Sequence, residues 1–216
     1  MSQDDVYEGA RSSLLQKIES LQTKVNSITI KTTFKQTTSN DLIMIYYFFE
    51  SLHNSNLKNT IESVRRFIVL NRSLYVDTMS AFEYETRKFI LIDQDSQLDP
   101  IKQILHNHPR KGITPLITKL KQIGYLDDDN CKKLIGLFAI RNMIVHNNTI
   151  VNDQKDEVPP EIQEIFADFT IDNVMNGKPE MFLNLFEILI DIYLVWYNGK
   201  STLEDIFNRI NRQVIN

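Results

Sequence analysis

Cysteine is almost absent from this chain. Cys131 is the only one in 216 residues, so an intramolecular disulfide is excluded, and with four histidines a structural zinc site is hard to assemble. A reducing, cytoplasmic interior is the expected location. Glycine and proline are scarce too, six of each, and neither a GxxxxGK run, a GxGxxG nor a GxSxG occurs. Nucleotide-fold enzymes are therefore not expected. The start, Met-Ser-Gln-Asp-Asp, has acid where an export signal needs positive charge, and no apolar run follows it. The longest apolar stretch, 181–197, carries Asn184, Glu187 and Asp191 on one narrow stripe. Two carboxylates at bilayer depth would each cost roughly 2.5–3.5 kcal/mol, so this reads as a core helix with one polar edge, and no membrane partner is expected.

What the chain does have is apolar residues at helical spacing. It is 42% hydrophobic and 10% aromatic, ample for a core, and 24% charged, which fits neither disorder nor low complexity. Leu14, Leu15, Ile18, Leu21, Val25 and Ile28 predict an amphipathic helix over 4–27. The Thr-rich stretch 27–40 reads as a connector. Helices are predicted over 41–53, 57–70 and 73–92, the last with Tyr75, Met79, Phe82, Thr86, Phe89 and Ile90 on one face and Glu83 beside them. A polar break at 93–100 and a basic loop at 106–115 follow. A helix over 114–125 closes at Gly124, and Asp127 to Asp129 cap the next one. Beyond a polar loop at 152–161, helices are expected at 161–168, 178–198 and 201–213. Strand-type alternation is nearly missing. The expected fold class is all-α, a bundle of about seven to nine helices.

The formal charge of −4 hides an asymmetry: residues 100–146 hold eight Lys or Arg against three Asp, net +5, and the remainder carries −9. His106, His108 and His146 lie in the same block. Such a patch attracts phosphates, although solvated lysines on helix surfaces account for it equally well. His106 and His108 have no further ligand at metal-binding spacing and read as surface residues, so no metal is expected. Cys131, beside Lys132 and Lys133, reads as an ordinary thiol. The aromatic run at 46–49 reads as core rather than as a base-stacking platform.

The remaining anomaly is "AIRNMIVHNN", 139–148. With Leu134 at the origin of a helical wheel, the apolar stripe of Leu137, Phe138, Ile140, Ile144 and Val145 centres at about 340°, and Arg141 falls there too. A guanidinium on the buried side is costly unless it is paired or lines a wet cleft. His146 lies about 140° round from it. The two can converge if the helix loosens at Asn147 and Asn148, or if two copies meet across a twofold axis. Alternatively, Arg141 pairs with a buried acid such as Glu83 and His146 merely caps the helix end, favoured by the dipole.

These residues resemble the HEPN superfamily, all-α domains many of which are ribonucleases of toxin–antitoxin and defence systems. Its signature is Arg, four to six residues, then His, often with a polar residue directly after the Arg; here four residues separate Arg141 from His146, and Asn142 fills the polar slot. The flanking aliphatics, and "DTMSAFEYETRKFI" as the helix that packs on the motif, are similar as well. On this likeness the chain divides into an N-terminal helix and connector, 1–38, and a HEPN-like helical domain, 39–216. The resemblance implies a metal-independent endoribonuclease, a toxin or anti-phage effector, working without a cofactor in a composite cleft of a homodimer. It implies His146 as acid or base and Arg141 as phosphate ligand, with Asn142 and Asn147 as substrate contacts, and products ending in a 2′,3′-cyclic phosphate and a 5′-hydroxyl. RNA is the expected partner, with a cognate antitoxin or nucleotidyltransferase as a second one. The other expectation is a non-catalytic helical module that binds a partner protein or nucleotide through the same cleft. A DNA-binding regulator lacks a recognition-helix pattern.

Overall fold

Leu14, Ile18, Leu21, Val25 and Ile28 are all buried, so the periodicity of the first helix translates directly into a core-facing stripe. In the computed structural model, which describes residues 3–29, 31–53, 61–93, 95–109, 112–147 and 179–198, this helix, α1, spans Gln3–Asn26. Then come α2 (Thr33–His53), α3 (Ile61–Ile92), a 3-10 turn (Ser96–Leu98), α4 (Asp99–Asn107), α5 (Ile113–Gln122), α6 (Asp128–Asn147) and α7 (Pro179–Asn198). The fold is all-α, with seven α-helices and no strand among the described residues. None of these helices is long and apolar enough to cross a membrane. The loop expected at 152–161 and the helices expected at 161–168 and 201–213 lie outside the described residues.

Helix α5 ends at Gln122, three residues before the expected 125, and α4 starts at Asp99, inside the expected break; two boundaries differ more. Helix α2 starts at Thr33, inside the stretch read as a connector. Its low propensity is offset by one local and one tertiary contact: Thr32 Oγ1 caps the helix by accepting the Lys35 amide at 3.1 Å, and the carboxylate of Glu85 on α3 accepts the Thr33 amide at 3.1 Å. Phe34 and Thr38, one turn apart, are completely buried. Secondly, the two helices expected at 57–70 and 73–92 are one, α3, of 32 residues. No Gly or Pro interrupts it, and Leu70, Asn71 and Leu74 at the expected break pack inward.

Helices α2 and α3 form an antiparallel hairpin, pinned by Thr33–Glu85 at one level and Asp41–Thr78 at another. Helix α6 also packs on α3, with Phe82 against Phe138 at 6.3 Å and the Tyr75 hydroxyl donating to the Leu137 carbonyl at 2.9 Å. Helix α7 runs parallel to α3, placing Tyr75 by Phe186 and Phe82 by Tyr193. The Tyr193 ring stacks on Phe34 at 4.1 Å, and its hydroxyl meets Thr32 Oγ1 at 2.9 Å. One hydrophobic cluster runs through all seven helices.

The polar edge of α7 faces α1. Glu187 accepts from Lys17 at 2.7 Å and from Lys24 at 2.9 Å, and Lys24 also pairs with Asp191 at 2.8 Å. The hydrogen bond from Lys17, then that from Lys24, holds the Glu187 carboxyl below the usual range. A depressed carboxylate stabilises the fold above its unfolded pKa and loses that effect as pH falls through the folded value. Glu187→Gln is therefore expected to cost about 1 kcal/mol at pH 7 and nearly nothing at pH 3, read by urea denaturation. An equal loss at both pH values would show that the charge contributes nothing.

Candidate functional site at the end of helix α6

Helix α6 begins as its sequence prescribes. Asp127 Oδ1 accepts the Asn130 amide at 2.7 Å, and that backbone hydrogen bond is the main reason its carboxyl sits below the ordinary range. Asp128 pairs with Lys121, and Asp129 with Lys133 at 2.6 Å. Lys102 pairs with Asp99 at 2.9 Å, so three lysines of the basic block have acidic partners. Asp128 and Asp129 are already counted in the block's net +5; Asp99 alone lies outside it, so that pair offsets one further charge. His106 and His108 are exposed, and no group of three or more His, Cys, Asp or Glu among the described residues could hold a metal ion. Cys131 is buried, and burial pushes its thiol up.

From Leu134 to Ile140 the helix is enclosed: Leu134, Leu137, Phe138, Ala139 and Ile140 are all core residues. Then it emerges. Arg141, Asn142 and Ile144 are half-buried, and Val145, placed in the apolar stripe by the wheel, is 47% exposed. The stripe is continuous in sequence, but its burial tapers: Ile144 still packs against the core, and Val145 does not.

Arg141 sits at this point of emergence. Its Nη1 donates to Asn142 Oδ1 at 3.1 Å, while its Nε is buried with no hydrogen-bond partner. No described carboxylate pairs with it. Glu83, the acid expected to neutralise it in the ion-pair reading, instead accepts Arg87 Nε at 2.9 Å and Nη2 at 2.7 Å, one turn away on its own helix. The guanidinium keeps several donors unused beside the apolar edge formed by Ile144 and Val145. Such a group is suited to a planar, multidentate anion.

No protein-family model matches the chain, and no curated protein and no solved structure is similar to it. What the site does must therefore be argued from its own residues. Helix α6 stays helical through Asn147, so the loosening that would swing His146 toward Arg141 does not occur before that residue. Asn148 and the side chains of His146 and Asn147 lie outside the described residues. Five positions along a regular helix put the Cα–Cβ directions of 141 and 146 about 140° apart.

One contributor to the site was not legible in the sequence. Tyr75 donates to the Leu137 carbonyl, the group to which the Arg141 amide bonds in a regular α-helix, and so fixes the turn that carries Arg141. Burial holds its phenol well above the ordinary value, so it remains a donor. The periodicity placed Tyr75 in the core correctly, but a hydroxyl's partner on a helix some 60 residues later leaves no local signal. Asn142, which the sequence pattern did single out, is in place as an acceptor for Arg141, and only the side-chain geometry specifies that role.

Proposed function

We propose that this protein is a metal-independent endoribonuclease of the HEPN type, with Arg141 and His146 as its working pair. The observation that carries the reading is the state of Arg141: a half-buried guanidinium with no described carboxylate, one bond to Asn142 and an unsatisfied Nε. A cation in that position is costly unless an anion completes it. An RNA phosphodiester supplies one, and the planar fork bonds two phosphate oxygens at once.

In this reading Arg141 offsets the charge that develops on the phosphate. Imidazole, with an unperturbed pKa of about 6.5, can both take the 2′-hydroxyl proton and return one to the leaving 5′-oxygen at neutral pH. Attack of the 2′-oxygen on phosphorus breaks the bond to the 5′-oxygen, leaving a 2′,3′-cyclic phosphate and a 5′-hydroxyl. Asn142 orients Arg141, and Asn147 contacts the substrate. Because positions 141 and 146 of a regular helix are about 140° apart, a complete site in this reading draws on a second protomer, whose α6 end supplies what the first cannot reach. A toxin or anti-phage effector, held in check by a cognate partner, fits such an activity.

The test is cleavage of a labelled RNA in EDTA by the wild type, Arg141→Ala and His146→Ala. Cleavage by the wild type alone supports the reading. Equal cleavage by all three, or none by the wild type at any concentration, overturns it. In the latter case, stoichiometric binding of a partner protein or nucleotide, abolished by Arg141→Ala, would establish the non-catalytic module instead.

A further inference from the structure

The outer face of α2 carries Gln36, Asn40, Ile43, Met44, Tyr47 and Ser51 at exposed positions, within one stripe about 100° wide. The centre is apolar: Ile43 is 38%, Met44 50% and Tyr47 66% exposed. The Tyr46 and Tyr47 rings lie edge to face, 5.8 Å between centroids. Sequence reasoning assigned the 46–49 aromatics to the core, and Tyr46, Phe48 and Phe49 do pack against it, but Tyr47 points outward.

None of the six stripe residues is charged, in a chain of which 24% is. The described charges of α2 are directed elsewhere: Lys35 to the Ile28 carbonyl, Asp41 into the hairpin against Thr78, Glu50 to Arg11 at 2.5 Å. A nucleic acid or a charged peptide would find nothing complementary here. A second copy of the same face would.

The order of residues is also self-complementary. Two α2 helices packed antiparallel about a twofold axis between Ile43 and Met44 set Ile43 opposite the other copy's Met44. Asn40 then falls opposite Tyr47, and Gln36 opposite Ser51. Apolar residues meet at the axis, an amide meets a phenol on either side, and polar residues close the ends, as an isologous interface requires. Each chain carries a formal −4, so copies repel at long range, and an uncharged stripe is where that repulsion is least.

We propose that the outer face of α2 is a self-association seam, at which two copies of this chain pack antiparallel through Ile43, Met44 and Tyr47. Three side chains alone fall short of the ~800 Å² per partner of a standard interface, so the association is weak and reversible. The seam goes beyond the ribonuclease reading and does not rest on it. Helix α2 packs chiefly on α1 and α3, whereas the proposed cleft lies at the end of α6.

The experiment is sedimentation equilibrium of the full chain over a hundredfold concentration range. The expected result is a mass that rises with concentration; the α2 seam joins two copies, and the α6 contact of the ribonuclease reading adds to that mass independently. Met44→Glu, which brings two carboxylates together at the axis, should weaken the dimer at least tenfold. Adding Ile43→Lys to it sets opposite charges across the axis and should restore the dimer to within about threefold of the wild type. A mass of one chain throughout overturns the proposal, as does a concentration-dependent mass transition that Met44→Glu leaves unchanged. A drop of several degrees in the Tm of monomeric Met44→Glu also overturns it, because the chain's own residues would then cover the face. The two ideas separate cleanly: His146→Ala should leave this mass transition unchanged, and a chain that dimerises through α2 yet cleaves no RNA would sink the ribonuclease and keep the seam.

Discussion

His146→Ala is expected to lower RNA cleavage by 10²–10⁴-fold, the usual contribution of a positioned acid or base. Arg141→Ala should lose about 10²–10³-fold, comparable to removing a donor that stabilises developing oxyanion charge. Arg141→Lys should not rescue, because an ammonium offers a point charge where the fork offers two parallel bonds. The stability of these variants separates this account from its rival. Breaking a buried ion pair by removing the cation costs about 3–5 kcal/mol, since a carboxylate is left stranded. Arg141 has no described carboxylate, and Glu83 is held by Arg87. Arg141→Ala is thus expected to change stability by no more than about 1 kcal/mol, through the loss of its packed methylenes. Urea denaturation alongside a cleavage assay in EDTA reads both quantities. A loss of several kcal/mol with cleavage intact would return Arg141 to a structural role.

The second large effect is a pH dependence built into the α2–α3 hairpin. Asp41 is 5% exposed, and its described hydrogen bond comes from the Thr78 hydroxyl at 2.7 Å. Burial raises its pKa from 3.8 to about 6, opposed by the Thr78 bond and aided by the like charge of Asp77. Because the folded value is the higher one, the folded state holds the proton more tightly. Below about pH 4 both states are protonated and nothing is lost; as pH rises through 4 to 6, stability falls, and the full cost is present above 6. That cost is about 2–3 kcal/mol. Asp41→Asn keeps the shape and an oxygen for Thr78 while removing the charge. It should raise the Tm at pH 7.5 by roughly 2–8 °C, and the difference from wild type should vanish at pH 4. Thr78→Val, which removes the donor, should destabilise by about 1–3 kcal/mol above pH 6. A wild type–Asp41→Asn difference that stays constant from pH 4 to 7.5 would show that this carboxylate is solvated after all.

How much of this was written in the sequence depends on the range of the interaction that decides each feature. Local, periodic features were legible. The α1 stripe, the cap at Asp127, the stop at Gly124 with its φ of 74° and the polar edge of α7 all follow from residues within a few positions of one another. Features that local propensity reads wrongly were set from elsewhere in the chain. Thr33 to Asn40 is poor in helix formers yet helical, with Glu85 and Tyr193, some 52 and 161 residues away from their partners, anchoring its start.

For the candidate site, the sequence alone gave Arg141 and His146, and the conflict of a guanidinium on an apolar stripe. Periodicity states that a residue faces inward; it cannot state where the neighbouring helices stop. Only the packing of the neighbouring helices decided that full burial ends at Ile140, so that Arg141 and Ile144 are half-buried and Val145 is open. Only the side-chain geometry decided that Glu83 belongs to Arg87 rather than to Arg141. Secondary structure answers to neighbours three or four residues apart, and the sequence determined it. The pairing of charges and the edge of burial answer to distances through space, and those the tertiary structure alone could decide.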